Sequence, residues 1–336
     1  MHRAWYKTFA LSVLFATLLM CASCTQTSPP EVSDTESTQI PYVGQGVPAE
    51  LEQYADNPNA AYMTMILAQI PGTPLKQSTR TERDIFEFAY NGGEIIANVI
   101  MENGLRGVTE TGFSILCDGI PIPYTLMESG ETMLHCPVSL EGQMVYKVAF
   151  TPSFSAGIGR IDFVQTNAAN MYNLTYHLGS YSILAILPDD YQAADTAMRT
   201  DKHIVATREN LKEAVSGAMV DMCIVGADSG YEKGGLSAAG SLHVANVSSW
   251  VFEMLFGAPG TYRVTAFLDY EPYPFFDGHS TIECQIGENQ MLMMEKAAAE
   301  SFPVGTHSFY VVASKIDEDA LTSEPMESRR MEIVNN

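Results

Sequence analysis

The sequence predicts an all-β protein made of two antiparallel β-sandwiches, joined by a partly helical connector and preceded by a disordered tether. Three observations predict this architecture: short stretches of alternating apolar and polar residues, turn signals between these stretches, and a segment that occurs twice. Of the 336 residues 46% are apolar, which excludes wholesale disorder. The length is sufficient for two domains.

Alternation with a period of two is typical of strands that bury one face. The apolar members of three such stretches are Ile95, Ala97, Val99 and Met101; Phe113, Ile115 and Cys117; and Ile282, Cys284 and Ile286. Turn signals separate the stretches, at Asn91-Gly92-Gly93, Asp118-Gly119, Ser129-Gly130, Pro259-Gly260 and Asp277-Gly278. Short strands with such turns favour sandwiches over a parallel α/β sheet. We expect Trp250 to fill the second core.

One segment occurs twice, at residues 117–124 and 268–275. Both copies read Asp-x-x-Pro-x-Pro-aromatic, and each follows an alternating stretch. Another alternating stretch with an inward cysteine, Cys136 or Cys284, comes after each copy. Because proline cannot donate to a strand ladder, the paired prolines mark strand ends or sheet edges. The repetition indicates one supersecondary unit that is used twice.

These patterns place sandwich domains at residues 61–190 and 236–336, with a connector at 191–235. A short helix is predicted in the connector, with Thr207 as its N-cap. The apolar residues at helical spacing are Leu211, Val215, Ala218, Met219 and Met222. Residues 291–300 have helical propensity but fit a strand as well.

The N-terminal 23 residues have the three parts of an export signal. Arg3 and Lys7 give a positive start, an apolar run follows from Thr8 to Met20, and small residues end the segment. The run is shorter than the roughly 20 residues that a membrane-spanning helix needs. Residues 24–60 are rich in Ser, Thr, Pro and acidic side chains and show no apolar periodicity, which predicts a solvated tether.

The end of the signal, Cys21-Ala22-Ser23-Cys24, resembles the lipobox of bacterial lipoproteins. The resemblance implies cleavage before Cys24 and a covalent diacylglyceryl lipid on its thiol, with no other cofactor. Cys21 is a poorer acceptor because bulky Met20 would precede it. An ordinary secretory signal with an incidental cysteine is the alternative. Two or more acyl chains hold a protein to a membrane where a single chain releases it.

In layout the whole chain resembles the surface lipoproteins of Gram-positive bacteria that carry tandem immunoglobulin-like domains. The resemblance implies display on the extracytoplasmic face of the cell membrane and brings no activity with it. The membrane is then one partner, through the anchor, and a protein or a glycan is the other. A net charge of −22 excludes sequence-independent binding of nucleic acid, which needs clustered Lys and Arg.

The sequence contains no recognisable catalytic or metal motif. It has no His-Glu-x-x-His, no Gly-x-x-x-x-Gly-Lys-Ser/Thr and no Gly-x-Ser-x-Gly. His135 and Cys136 are adjacent on a predicted strand, so their side chains point to opposite faces, and we expect a core cysteine beside a surface histidine. Acidic doublets such as Asp189-Asp190 do not follow a calcium-loop pattern, so no metal site is assigned.

The segment 269–278 is the best candidate for recognition. It is rich in aromatic and acidic residues with rigid prolines between them, a composition suited to binding anchors. The candidate residues are Asp269, Tyr270, Tyr273, Phe275 and Phe276. The structural alternative is that Tyr273 and Phe275 pack inward while Tyr270 and Phe276 cover a sheet edge.

Cys117 and Cys136 both point inward on neighbouring predicted strands. A disulfide between them is one possibility for an exported protein. The second copy has Leu268 in place of Cys117, so the alternative is that both cysteines are small buried apolar residues.

The sequence therefore favours a non-catalytic, lipid-anchored surface protein that serves as an interaction or spacer module. A ligand-binding lipoprotein that captures glycan, peptide or calcium through segment 269–278 is the alternative. A hydrolase whose site is assembled from residues distant in sequence is the third hypothesis.

Overall fold

The chain folds into two antiparallel immunoglobulin-like β-sandwiches, which confirms the predicted fold class. The computed structural model describes residues 64–80, 85–103, 109–154, 157–167, 179–192, 198–199, 204–207, 220–227, 241–297, 302–317, 324–328 and 330–336. The predicted signal peptide, Cys24 and the tether lie outside the described residues. The helical element among the described residues is a 3-10 turn at Val244–Asn246.

The first sandwich contains twelve described strands. They are β1 (Thr64–Gln69), β2 (Lys76–Gln77), β3 (Phe86–Ala89), β4 (Ile95–Asn103), β5 (Thr109–Cys117), β6 (Ile120–Pro121), β7 (Tyr124–Leu126), β8 (Thr132–Met133), β9 (Cys136–Leu140), β10 (Gln143–Phe150), β11 (Ile158–Asn167) and β12 (Gly179–Ile186). One sheet has the order β1-β4-β10-β7-β8, and the other has the order β2-β3-β12-β11-β5, with β6 and β9 also on β5. The pairing of β3 with β12 is parallel.

The second sandwich contains the remaining strands. They are β13 (Met198–Arg199), β14 (Ile204–Thr207), β15 (Val220–Gly226), β16 (Ser241–His243), β17 (Ser249–Phe256), β18 (Gly260–Leu268), β19 (Glu271–Pro272), β20 (Thr281–Ile286), β21 (Gln290–Ala297), β22 (Gly305–Lys315), β23 (Met326–Glu327) and β24 (Met331–Asn335). One sheet has the order β14-β21-β17-β15, and the other has the order β13-β20-β18-β22-β24-β16. The pairing of β16 with β24 is parallel.

The two sandwiches repeat one topology, which confirms the predicted duplication. The antiparallel set β1-β4-β10 corresponds to β15-β17-β21. The set β3-β12-β11-β5-β9 corresponds to β16-β24-β22-β18-β20, including the parallel edge pair in each copy. Two antiparallel sheets packed over one shared core are the arrangement expected of an immunoglobulin-like sandwich.

The predicted alternation fixes both cores. In β4 the residues Ile95, Ala97, Val99 and Met101 are buried between the sheets, and the residues between them are more exposed. Ile282, Cys284 and Ile286 do the same in the second sandwich, where Trp250 is fully buried. Residues 291–300 fit either a helix or a strand in the sequence, and the structure shows strand β21 at Gln290–Ala297.

The connector differs from its prediction. Met222, predicted to lie on a helix, lies in β15, and Thr207, the predicted N-cap, is the last residue of β14. Both strands pair within the second sandwich, so part of the range 191–235 belongs to its sheets. The apolar run at Val220–Gly226 satisfies both a helical and a strand period, and pairing with β17 decides for the strand. The predicted helix positions from 208 to 219 lie outside the described residues, and the domain boundaries stay a prediction.

The two sandwiches pack against each other through equivalent sheets. Leu116 and Val164 of the first sandwich form one buried cluster with Phe267, Tyr310 and Val312 of the second. Leu116 and Phe267 are equivalent, since each comes directly before one copy of the repeated segment. Val164 lies opposite Ser114 in its sheet, and Val312 lies opposite Thr265, so these two valines are equivalent as well. The contact is therefore reciprocal, as in an isologous interface between two subunits.

Candidate functional site

The repeated segment forms the same tight turn in both sandwiches, and both turns lie at this junction. The first turn, Asp118-Gly119, joins β5 to β6, and the second, Asp269-Tyr270, joins β18 to β19. All four turn residues have positive φ, at 47° and 80° in the first turn and 50° and 74° in the second. Two-residue hairpins require this backbone because its twist matches that of the flanking strands. A tyrosine at such a position is strained, which indicates that contacts hold it there.

The aspartate of each turn ties the hairpin to the next strand. The Oδ1 atom of Asp118 accepts a hydrogen bond from the backbone N–H of Arg160 at 2.8 Å. The Oδ1 atom of Asp269 accepts one from the N–H of Ser308, also at 2.8 Å. In return, the backbone N–H of Asp118 donates to the carbonyl of Arg160, and the backbone N–H of Asp269 donates to the carbonyl of Ser308. These paired bonds explain why aspartate occupies the first position of both turns.

The first turn presses against the second sandwich. The guanidinium of Arg263 donates from Nη1 to the carbonyl of Asp118 at 2.8 Å, and the Thr265 hydroxyl donates to the carbonyl of Gly119 at 3.4 Å. A Cβ atom at Gly119 would lie 2.6 Å from the Cβ of Ser314. Gly119 is therefore required twice, by its positive φ and by this close approach.

The second turn makes the reciprocal contact with the first sandwich. The ring of Tyr270 stacks on His135, with centroids 4.9 Å apart and 10° between the planes. Arg330 lies over the same tyrosine at 5.4 Å and over Tyr310 at 4.8 Å. The Nδ1 atom of His135 is 3.4 Å from the Oγ of Ser114, whose equivalent, Thr265, contacts the first turn. Each turn thus lies on the same outer position of the other sandwich.

His135 is a neutral group in a buried, positively charged setting. Burial, and to a smaller extent the nearby Arg330 guanidinium, lower the pKa of this histidine from 6.5 to about 4. Burial is the largest single influence on Arg330 and lowers its pKa, but Glu327, to which its Nε donates, together with Tyr310 and Tyr270 raises this pKa overall. The stack therefore combines one permanent cation with an uncharged imidazole.

The prediction that His135 is a surface residue is wrong. Its side chain does point away from Cys136 and the first core, but the second sandwich covers it, leaving 8% exposed. Alternation within one strand identifies the face of a side chain and not what packs on that face. Tyr270 stands where a turn residue such as glycine is usual, and this is the signal in the sequence that could have indicated a contact here.

The five candidate residues of segment 269–278 do not form one surface. Phe275 and Phe276 are buried in the second core, where Phe275 stacks on Trp250. Tyr273 is half-buried and stacks on Phe302 at 6.0 Å. Tyr270 is at the junction, and Asp269 remains accessible, with Oδ2 2.6 Å from Nδ1 of His307. Phe276 therefore does not cover a sheet edge, and the structural alternative is correct for Tyr273 and Phe275.

The structure does not bring the two candidate disulfide cysteines together. Cys136 lies opposite Phe113 in the sheet, four positions from Cys117 on the same strand, which is on the order of 13 Å along β5. A disulfide needs Cα atoms less than about 7 Å apart. Both thiols are free and buried, and burial raises the pKa of Cys117 and raises that of Cys136 to about 11. They pack as small apolar side chains.

The described part of the chain shows neither a metal site nor a membrane helix. No group of three or more His, Cys, Asp or Glu side chains in it could hold a metal ion. No helix within those same residues is both long and apolar enough to cross a bilayer. At the junction the two sandwiches are joined by packing, ring stacking and hydrogen bonding.

No family model matches this chain, and no curated protein matches it. Among solved structures it is similar to red sea bream transglutaminase, at 7% identity over 80% of this chain and 32% of that one, with a TM-score of 0.20. It is also similar to Salmonella alpha-2-macroglobulin, at 11% identity over 81% of this chain and 15% of that one, with a TM-score of 0.19.

A 1.5-MDa bacterial ice-binding adhesin is a third similar structure, at 9% identity over 81% of this chain and 66% of that one, with a TM-score of 0.19. This chain spans about a third of the transglutaminase and less of the macroglobulin. At these identities and TM-scores the similarities bear on neither activity nor partner.

Proposed function

We propose that this chain is a non-catalytic, lipid-anchored protein of the extracytoplasmic membrane face, and that its two sandwiches act together as an interaction or spacer module. The observation that carries the proposal is the reciprocal junction, in which each turn of the repeated segment lies on the other sandwich. A buried junction with matched hydrogen bonds fixes two sandwiches as one unit. Such a unit can present a surface at a fixed distance from its attachment point.

The anchor is the part of the proposal that depends on the sequence. The lipobox-like segment Cys21-Ala22-Ser23-Cys24 supports acylation of Cys24, and the polar stretch at 25–60 supports a tether between lipid and sandwich. With two or more acyl chains the attachment is stable. Extracytoplasmic display then follows from export.

The described nucleophiles support a non-catalytic role. The thiols of Cys117, Cys136 and Cys284 are buried, and their pKa values are raised, to about 11 for Cys136 and about 12 for Cys284. Reactive cysteines have lowered pKa values and are accessible. His135 is enclosed by the second sandwich, so a substrate has no access to its ring.

Ligand capture through segment 269–278 is less well supported than the interaction role. Two of its aromatic rings, Phe275 and Phe276, are 2% and 1% exposed and contribute to the core. Their removal would unfold the sandwich before it could report on a ligand. The interaction surface is therefore to be sought elsewhere.

The anchor is tested by Cys24→Ser, with Cys21→Ser as the matched control. We expect Cys24→Ser to move the protein from the membrane fraction to the soluble or secreted fraction, because the acyl acceptor is lost. Cys21→Ser keeps the acceptor and should stay with the membrane. Fractionation with immunoblotting, and mass spectrometry of the mature N-terminus, measure both outcomes. Equal membrane partition of Cys24→Ser and the parent would contradict the proposal.

A further inference from the structure

Three of the four large, exposed apolar side chains in the described residues lie on one face of one sheet. They are Leu67 on β1 and Ile96 on β4, at 43% and 36% exposure, and Met127, at 45%, just after β7. The fourth, Val304, belongs to the second sandwich. Single exposed apolar residues are normal, whereas a group on one face indicates an interaction site.

The register places the exposed apolar residues in two rows, and Gln69, Asn98 and Lys147 form a polar row between them. Leu67 and Val145 both lie opposite Ile100, which makes one apolar row across three strands. Ile96 lies opposite Ala149 in a second row. Side chains that are directly opposite in an antiparallel pair point to the same side of the sheet. We call this surface, formed by Leu67, Ile96, Ile100, Met127 and Val145, the β4 face.

The equivalent face of the second sandwich is buried. Val251 and Leu255 on β17 are 7% and 1% exposed, and their neighbours Cys223 on β15 and Met293 on β21 are 0% and 8% exposed. The two sandwiches share one topology, so the same three strands bury their outer face in one copy and expose an apolar one in the other. This difference marks the β4 face as a surface that is open in the isolated chain.

The charges around the β4 face select its partner. Exposed carboxylates border it: Glu94 precedes β4, Glu102 lies near its end, and Glu128 follows Met127. The whole chain carries a net charge of −22. A second copy of this chain or an anionic lipid surface would be repelled, whereas a basic partner would be attracted.

We propose that the β4 face binds a protein partner through an apolar segment that is flanked by Lys or Arg side chains. Apolar contacts with the two rows supply the burial, and the acidic border aligns the basic flanks. Lys147 is half-buried and lies opposite Asn98, between the two rows. The inference deepens the interaction role and rests on it.

The test uses residues 39–336, which form one compact unit that contains both sandwiches. The probe is a synthetic amphipathic helical peptide of Leu and Lys, titrated by calorimetry. We expect binding that weakens at high salt, and at least about ten-fold weaker binding for the double variant Leu67→Ser/Ile96→Ser, because apolar burial is lost. Val304→Ser, with the same chemistry on the other sandwich, should bind like the parent.

Control probes separate the two contributions. A peptide with Glu in place of Lys, and oligolysine without Leu, should both bind much more weakly than the Leu/Lys peptide. Met127→Gln is a second face variant, and unfolding curves check that each variant is folded. Equal binding of oligolysine, or unchanged affinity of both face variants, would overturn the proposal.

Two further outcomes would assign the face to another occupant and so overturn this one. The first is a dimer in sedimentation that Leu67→Ser/Ile96→Ser dissolves. The second is adsorption of residues 39–336 to phosphatidylglycerol vesicles that the same variant abolishes. The fragment lacks residue 24, so the peptide titration is independent of the anchor experiment. If one of the two proposals fails its test, the other can still be judged from its own test.

Discussion

The environment of the His135 side chain is formed by residues of both sandwiches. Its imidazole lies between Ser114 of its own sheet and Tyr270 of the other sandwich, with Arg330 close by. Charge on the imidazole is therefore disfavoured by burial and by a neighbouring cation. A junction of this kind is most stable when the histidine is neutral.

We expect the free energy of unfolding to fall in acid because of this residue. The pKa of His135 is about 4 when folded and 6.5 in the unfolded chain, so the unfolded state binds the proton more tightly between these values. The contribution is complete above pH 6.5 and is lost as the pH falls towards 4, by about 3 kcal/mol in total. Urea unfolding at several pH values measures it.

The matched variants are His135→Gln and His279→Gln. His135→Gln cannot titrate and should lose less stability between pH 7 and pH 4.5 than the parent does. His279 is exposed, so His279→Gln should follow the parent. If His135→Gln and the parent have identical pH dependence, the histidine is not the group responsible.

At the residue scale the sequence predicted inward-facing residues well and contacts poorly. Ile95, Val99, Cys136 and Trp250 are buried because alternation and apolarity suffice to place a side chain on a core face. Packing between sandwiches adds a second burial that has no period in the sequence. Ser114 and Leu116 lie on the face of β5 that points away from the first core, as the alternation predicts, yet both are buried as well.

The repeated hairpin is the element on which the junction depends. Both copies have the same two-residue turn and the same aspartate hydrogen bonds to the adjacent strand. They differ at the second turn position, where Gly119 meets Ser314 and Arg263 while Tyr270 meets His135. The first turn is therefore small and fits against Arg263, whereas the second turn carries an aromatic ring that stacks on His135.

Gly119→Ala should destabilise the protein more than Gly130→Ala does. Both glycines have positive φ, 80° and 73°, so the strain of adding a Cβ is similar, about 1 kcal/mol. A Cβ at Gly119 also lies 2.6 Å from Ser314, whereas Gly130 has no atom within 4 Å. We expect an additional loss of about 1–3 kcal/mol for Gly119→Ala, measured by urea unfolding. Equal losses in the free energy of unfolding would mean that the junction adjusts to a Cβ at residue 119 without additional cost.

At the element scale the sequence identified the duplicated unit but not its complete register. Cys136 and Cys284 look equivalent in the sequence, and both are buried. In the structure Cys136 lies opposite Phe113, whereas the equivalent of Phe113, Val264, lies opposite Ile282. Turn length between strands sets this two-residue offset, and period-two alternation is the same before and after it.

For the whole molecule we expect the junction to couple the unfolding of the two sandwiches. Met101 is fully buried in the first core, whereas Trp250, in the second core, is the tryptophan of residues 39–336. Met101→Ala should cost about 2–5 kcal/mol. Because the sandwiches share the cluster around Leu116 and Phe267, Trp250 fluorescence should report the full loss.

Met127→Ala is the matched control, since Met127 is 45% exposed and removing its side chain leaves no cavity. It should unfold like the parent. A Trp250 transition that is unchanged in Met101→Ala, with an earlier separate transition in circular dichroism, would mean that the sandwiches unfold independently.

The edge pairing of each sandwich has a mechanical consequence. In the first sandwich the early strand β3 runs parallel to the last strand β12, and β16 pairs in the same way with β24. A pull on the two ends of such a sandwich loads these hydrogen bonds along the strand axis, in shear. The bonds must then break together instead of opening one after another, so each sandwich resists stretching between these two strands.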